Sequence, residues 1–312
     1  MIDSPNEVEI LQGRVTAWKC RQALLNAARE WLTANGFLEV ETPVCVATPA
    51  LEDYIEAERA GKGYLRTSPE LHMKRLLGAG CERIFQVGPC FRRGEQGRWH
   101  LPEFTMLEWY RLRADHRDIL RDTIALVRHS LRVVMGSDIR CSIRNCDVDF
   151  GTEWEELTVD DAFRRYTGKT VEEALAADDF ERLLVEQIEP NLGVGRPTVL
   201  SGYPLVCSGL SKPMPGHPDR AERWELYAAG LELANACSEL TDADEQRRRF
   251  LACAELRRTQ GRPVYEADES FLACLSRGLP PAAGIAVGID RLVAVAVGAG
   301  SISEVTTFAG LS

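Results

Sequence analysis

The chain has none of the cysteine patterns that hold metals. Its ten cysteines are scattered over 312 residues, with no Cys-x-x-Cys pair and no Cys/His cluster at ligand spacing. No apolar run is long enough to span a bilayer, and the opening MIDSPNEVEI has neither the basic nor the apolar region of an export signal. These absences predict a cytoplasmic chain whose thiols are reduced and mostly buried. There is no internal repeat and no low-complexity tract, so a solenoid or a long disordered linker is not expected. Basic residues are outnumbered: the net charge of −10 argues against indiscriminate nucleic-acid binding, although it leaves room for a local basic groove. What remains is the composition of a globular enzyme, long enough for one large α/β domain or two smaller ones.

The organising stretch is Gly284 to Gly298, GIAVGIDRLVAVAVG. With period 2, Gly284, Ala286 and Gly288 share one face and Ile285, Val287 and Ile289 the other. The branched face is what a strand buries, and the small face lets something lie against the backbone. Arg291 follows at the edge of that floor, where a guanidinium can grip phosphate with two parallel hydrogen bonds. Residues 83–113 read as a hairpin with a long charged tip, RGEQGRWHLPE, and such tips on rigid strands tend to be functional. On its returning strand Phe104, Met106, Glu108 and Tyr110 share a face, which suits a ligand with a flat ring at one end and an amine at the other. Arg92, Arg93, Arg98 and His100 converge at the mouth of that face.

A third stretch, RWELYAAGLELANACSEL at 223–240, offers Glu225, Glu232, Asn235 and Glu239. Glu225 and Glu232 are an odd number of residues apart, so a regular strand faces them oppositely, and a bulge at Ala229–Gly230 is expected to turn both to one ligand. Carboxylates grouped in this way need a cation among them. Mg²⁺ held with nucleotide phosphates meets that need, and a substrate ammonium suits Glu239 or Glu108 equally well.

The remaining elements follow from local signals. Residues 1–15 read as a lead-in, and a helix from about Ala17 to Asn35 stops at Gly36. FLEVETP is a short strand ended by Pro43, and Ser68 is placed as the N-cap of a helix that ends at Gly78 or Gly80. Helical patterns cover Asp115–Met135 and an insertion over about 154–190, and Thr241 with Asp244 reads as a capping box. Period-2 faces in all three long stretches predict one antiparallel sheet of about six strands flanked by helices, an α+β fold.

These three stretches resemble the three ordered motifs of class II aminoacyl-tRNA synthetases: GFLEVETP motif 1, FRRGEQGRWHLPEFTMLEWY motif 2, and GIAVGIDRL motif 3. SPELHMKRLL and GLELANACSEL narrow the likeness to the lysyl subgroup. It runs from about Thr16 to the C-terminus, a single catalytic domain over 16–312. No anticodon-binding β-barrel is expected before Thr16, and FTMLEWYR with Ala286, where tRNA enzymes usually carry glycine, is similar to the elongation factor P–lysine ligases. That resemblance implies adenylation of a lysine, preferably (R)-β-lysine, with ATP and Mg²⁺, and its transfer to a lysine of elongation factor P. A homodimer through motif 1 is implied as well, with no tRNA as the main acceptor.

Carried over by position, the resemblance implies Arg92 and Arg291 on phosphates, Phe104 against adenine, and His100 near the polyphosphate. Glu225 and Glu232 fall on the magnesium carboxylates. Ser68, Glu70, Glu108, Tyr110, Asn235, Glu239 and Ala286 surround the amino acid. Three positions depart from the pattern. Gly94 stands where motif 2 has glutamate, leaving Glu95 as the substitute; Leu101 replaces an asparagine; and Cys237 replaces a phenylalanine against the substrate's stem. Two other readings share the motifs: the same chemistry on a tRNA or small amine, and a regulatory protein that has lost activation. The full set of Arg92, Glu225, Glu232 and Arg291 argues against the second.

Overall fold

The three stretches with period-2 faces lie side by side in one sheet. In the computed structural model, which describes residues 6–309, its strands are β1 (Leu38–Glu39), β2 (Arg83–Phe91), β3 (Glu103–Leu112), β4 (Glu155–Thr158), β5 (Thr198–Ser201), β6 (Arg223–Ala228), β7 (Leu231–Ser238) and β8 (Ala282–Gly288). The order across the sheet is β1-β2-β3-β8-β7-β6-β5-β4. The six inner strands pair antiparallel, as expected, and a parallel strand is added at each edge, β1 on β2 and β4 on β5. The edge strand β1 falls within FLEVETP, where a short strand is expected, whereas β4 opens a segment expected to be wholly helical.

The branched face of β8 is buried as expected. Ile285 and Val287 join Leu107, Trp109, Trp224 and Leu226 in the main core, where α1 (Glu7–Ala34), α3 (His116–Met135) and α9 (Ile289–Val297) cover the back of the sheet. Helix α1 takes in residues 7–15 of the expected lead-in, while residues 1–5 lie outside the described residues. Asn6 and Glu9 form a reciprocal capping box that starts the helix early. The Arg14 guanidinium ties it to the carbonyls of Thr306, Thr307 and Ala309.

The opposite face of the sheet is open in the middle and flanked on two sides. On one side α2 (Glu70–Gly78), α7 (Ala243–Thr259) and α8 (Glu269–Ser276) form a second core around Leu71, Phe250, Phe271 and Tyr110. On the other, the insertion's α4 (Val159–Thr167), α5 (Val171–Ala176) and α6 (Phe180–Leu183) pack around stacked Phe163 and Phe180 and reach Tyr203 and Tyr227. Two caps differ from expectation. Pro69 occupies the cap position of α2, and Asp242, not Thr241, caps α7 through the amides of Asp244 and Glu245. A carboxylate is the better acceptor for two amides at once.

Candidate active site

The register of β3, β8, β7 and β6 sets the site. Tyr110, Glu108 and Met106 pair with Gly284, Ala286 and Gly288, and Ala286 pairs on its far side with Asn235, which in turn pairs with Glu225. All these residues therefore face the open side. The small residues of β8 are required by what lies over them. A Cβ on Gly284 would stand 2.1 Å from Cδ1 of Tyr110, so the phenol ring rests directly on the backbone. Ala286, half-buried, is the one methyl projecting from this floor between Glu108 and Asn235.

The bulge expected at Ala229–Gly230 is a two-residue hairpin turn, with φ of 51° and 71°, and the β6–β7 pair is a hairpin, not one strand. The turn alone puts Glu232 opposite Tyr227 and on the side of Glu225. The register shift falls further on, where Leu226 pairs with Ala234 and Tyr227 with Glu232. The extra residue, Leu233, keeps Asn235, Cys237 and Glu239 on that same face.

A cluster of carboxylates lies between α2, β3 and the end of β7. Glu108, buried, accepts from the Ser68 hydroxyl at 2.7 Å and from the Tyr110 hydroxyl at 2.7 Å. Burial and the neighbouring Glu70 carboxylate push its carboxyl up to about 8. Ser68 is therefore a pocket residue; its oxygen also accepts the Glu70 amide at 3.0 Å. Glu239, 3% exposed, is pushed by burial up to about 7, against the pull of the Lys74 ammonium it touches. Lys74, at zero exposure, also donates to Glu70 at 2.5 Å. Burial disfavours its charge, but Glu239 and Glu70 outweigh that and hold it above its ordinary value. Cys237 lies beside this cluster, its sulfur 3.7 Å from Glu239.

A cluster of basic side chains gathers around the hairpin tip. Arg291, on the first turn of α9, donates to the Glu232 carbonyl at 2.7 Å and lies 3.3 Å from its carboxylate. Its other terminal nitrogen is 2.6 Å from His100 Nε2. A guanidinium only donates, so Nε2 accepts and the imidazole is neutral with its proton on Nδ1. Burial and Arg291 push its pKa the same way, down. Arg92 sits 5.2 Å from the Phe104 ring centroid and 3.7 Å from Glu95, the carboxylate that follows Gly94. Its Nε is buried with no acceptor among the described residues. Two arginines, one just past β2 and one on α9, thus flank His100 at the open face, the first beside a flat aromatic ring.

Glu225 and Glu232 share this face but not a role. Glu225 accepts from Arg223, from Asn235 at 3.0 Å, from Tyr203 at 2.5 Å and from Tyr227 at 2.6 Å. A carboxylate offers about four lone-pair sites, so Glu225 has none left for a cation, and it fits its expected place as a metal ligand only if a donor moves. Glu232 is 38% exposed and fits. Asn235, expected at the amino acid, is held by Arg223 and Glu225 at the border between the two clusters.

The structure adds residues that the sequence reading passed over. Lys74 stands four residues from Glu70 in ELHMK, a helical spacing that could have signalled the pair. Asp290, buried, accepts from Arg21 at 2.5 Å and from the Thr105 amide at 2.7 Å, tying α1, β3 and α9 together beside Arg291. Glu52 faces Arg92, Glu70 and Arg223 from the 47–58 loop, and burial pushes its carboxyl up to about 7. Nothing in the spacing of these last two marked them.

One face of the sheet thus carries a floor of small residues, an arginine beside an aromatic ring, a second arginine at His100 and a walled carboxylate cluster. The family described as tRNA synthetases class II (D, K and N) matches residues 13–312, and the chain belongs to it. Among its relatives are proteins named elongation factor P–(R)-β-lysine ligase. That of Klebsiella pneumoniae is 37% identical over 92% of this chain and 93% of its own length. Those of Proteus mirabilis and Salmonella typhi are 36% and 35% identical, over 91% and 92% of this chain and 92% and 93% of their own.

Proposed function

We propose that this protein activates a lysine-type amino acid, (R)-β-lysine by preference, as an adenylate and transfers it to a lysine side chain of elongation factor P. The observation that carries the reading is one sheet face with Glu70, Glu108, Glu239 and Tyr110 walled in at one end and Arg92 and Arg291 at the other. The relatives' names supply the acceptor. Carboxylates at the amine end orient the substrate so that its own carboxylate points toward the arginines. The substrate carboxylate attacks the α-phosphate of ATP, pyrophosphate leaves, and Arg92 and Arg291 stabilise the charge that builds on the phosphoryl oxygens. Glu232 would hold Mg²⁺, which supplies further charge neutralisation at the phosphates. The acceptor amine then attacks the mixed anhydride, forms the amide and expels AMP. An unperturbed lysine amine has a pKa of about 10.4, so it sheds its proton before or during attack.

One incubation tests the acceptor: labelled amino acid, ATP, elongation factor P and total tRNA together. Label that stays on the protein through mild base and ribonuclease is the expected result. Base-labile label on RNA alone would make this a tRNA-charging enzyme. A cytoplasmic location and a homodimer built on the motif 1 region belong to the same reading. A monomeric mass at micromolar concentration counts against the dimer.

Two predictions concern the amino acid. Ala286 puts its methyl on the floor between Glu108 and Asn235, and a pocket methyl is worth about 1–3 kcal/mol in discrimination. Ala286→Gly is expected to raise exchange with α-lysine relative to (R)-β-lysine, and an unchanged ratio removes Ala286 from the specificity account. The second concerns protons. With its carboxyl at about 8, Glu108 is mostly protonated at pH 7 in the free pocket. An arriving ammonium favours the charged form, so binding at pH 7 should release a proton, fading above pH 8 where Glu108 is already ionised. Calorimetry in buffers of different ionisation enthalpy measures this, and no release at pH 7 would refute it.

A further inference from the structure

Three carboxylates meet at the amine end, from α2, β3 and the residue after β7, with one ammonium buried among them. Only five of the chain's 37 basic residues are lysines; Lys19, Lys62, Lys169 and Lys212 are exposed, and Lys74 alone is buried. Its Nζ bridges the two walls of the pocket, 2.5 Å from Oε1 of Glu70 and in contact with Oε2 of Glu239, while the Phe271 ring lies 5.9 Å away on α8. A salt bridge needed only to stabilise the fold would pair one carboxylate with one ammonium, because each further buried charge costs several kcal/mol. Here the balance is unequal. Glu108 is held by the neutral hydroxyls of Ser68 and Tyr110, so once ionised it has no counter-ion of its own. Among the described residues, Oε2 of Glu70 and Oε1 of Glu239 have no donor, since Lys74 takes the other oxygen of each.

We propose, on the reading of this pocket as the lysine-type site, that Lys74 is a positioning residue. As a fixed ammonium it turns one oxygen of Glu70 and one of Glu239 into the pocket. Once an arriving ammonium has ionised Glu108, the three carboxylates are short of two positive charges, which the two ammonium groups of a diamino acid fill. Amino acids with a single ammonium leave one of the three carboxyls without an ammonium partner and bind more weakly on that ground.

The test uses the full chain. In protein labelled with ¹⁵N-lysine, the one slowly exchanging ammonium signal is that of Lys74. It is expected to shift on addition of (R)-β-lysine or lysine and to stay in place with ATP alone. Lys74→Ala is expected to raise KM for the diamino acid about 30-fold or more, the low end for truncating one partner of a buried charge pair. Its kcat and its KM for ATP should stay within about threefold of the parent, because the loss is in ground-state binding. Propylammonium, which replaces the missing segment and charge, should restore KM, whereas 1-propanol, which fills the same space, should not. Equal rescue by both, an unchanged KM, or a joint loss of kcat and ATP affinity overturns the proposal. If Lys74→Ala does not fold, a wild-type signal that ignores the amino acid overturns it instead. Wild-type protein that catalyses no pyrophosphate exchange with any lysine-type amino acid defeats the functional reading itself. Exchange with a silent Lys74 signal defeats only the role of Lys74.

Discussion

Arg291→Ala is expected to lower turnover in pyrophosphate exchange by about 10²–10³, roughly 2.7–4 kcal/mol, by analogy with the loss of one preorganised oxyanion donor. The guanidinium is fixed before substrate arrives: the Glu232 carbonyl at 2.7 Å, the Trp99 carbonyl at 3.3 Å and His100 at 2.6 Å hold it over the open face. A group so placed needs no reorganisation as charge develops, so its loss should appear in kcat more than in the KM for ATP. Its removal also frees His100, whose imidazole is held neutral by burial and by that same charge. The pKa of His100 should therefore rise in the variant, which NMR titration can follow. Unchanged turnover would make Arg291 a structural clamp on Glu232 and the hairpin tip.

The second large effect is expected from a single methyl. In Gly284→Ala the new Cβ would lie 2.1 Å and 2.2 Å from two ring carbons of Tyr110, closer than any side chain tolerates. The ring cannot yield cheaply, since it is 3% exposed and hydrogen-bonded to Glu108. Overpacking of this kind typically costs about 1–3 kcal/mol of stability. A displaced Tyr110 also releases Glu108, and a shift of about 1 Å in a positioned group can cost on the order of 10²-fold in rate. Thermal denaturation and exchange kinetics check both halves. The double variant with Tyr110→Ala should lose less stability than the sum of the two single changes, because they share one contact. A variant with the parent's melting temperature and KM would show that the ring has another resting place.

How far the chain could be read without coordinates differs by element. The alternation of Gly284, Ala286 and Gly288 with Ile285 and Val287 carried its own meaning, because a strand shows its two faces at every second residue. The same holds for Phe104, Met106, Glu108 and Tyr110, and for a hairpin tip bearing Arg92 and His100. Period 2 is local, so the sequence by itself determined the long strands, their exposed and buried faces, and most of the residues that share the open face. The edges were unequally legible. The strand at Leu38–Glu39 was marked by Pro43 beyond it, but Glu155–Thr158 runs straight into a helix and shows no period of its own.

What only the tertiary structure decided is which charges meet. Glu225 and Glu232 looked equivalent along the chain, yet Tyr203 and Tyr227, packed against the insertion's core, close around Glu225 and leave Glu232 open. Ser68 looked like a helix cap, and a strand forty residues away made it a partner of Glu108. Lys74 reads as one more cation on an amphipathic helix until β7 brings Glu239 against it across the pocket. Faces follow from neighbours in sequence. Charge balance follows from neighbours in space, because burial and the sum of surrounding charges fix what each group can do, and neither quantity is written in local spacing.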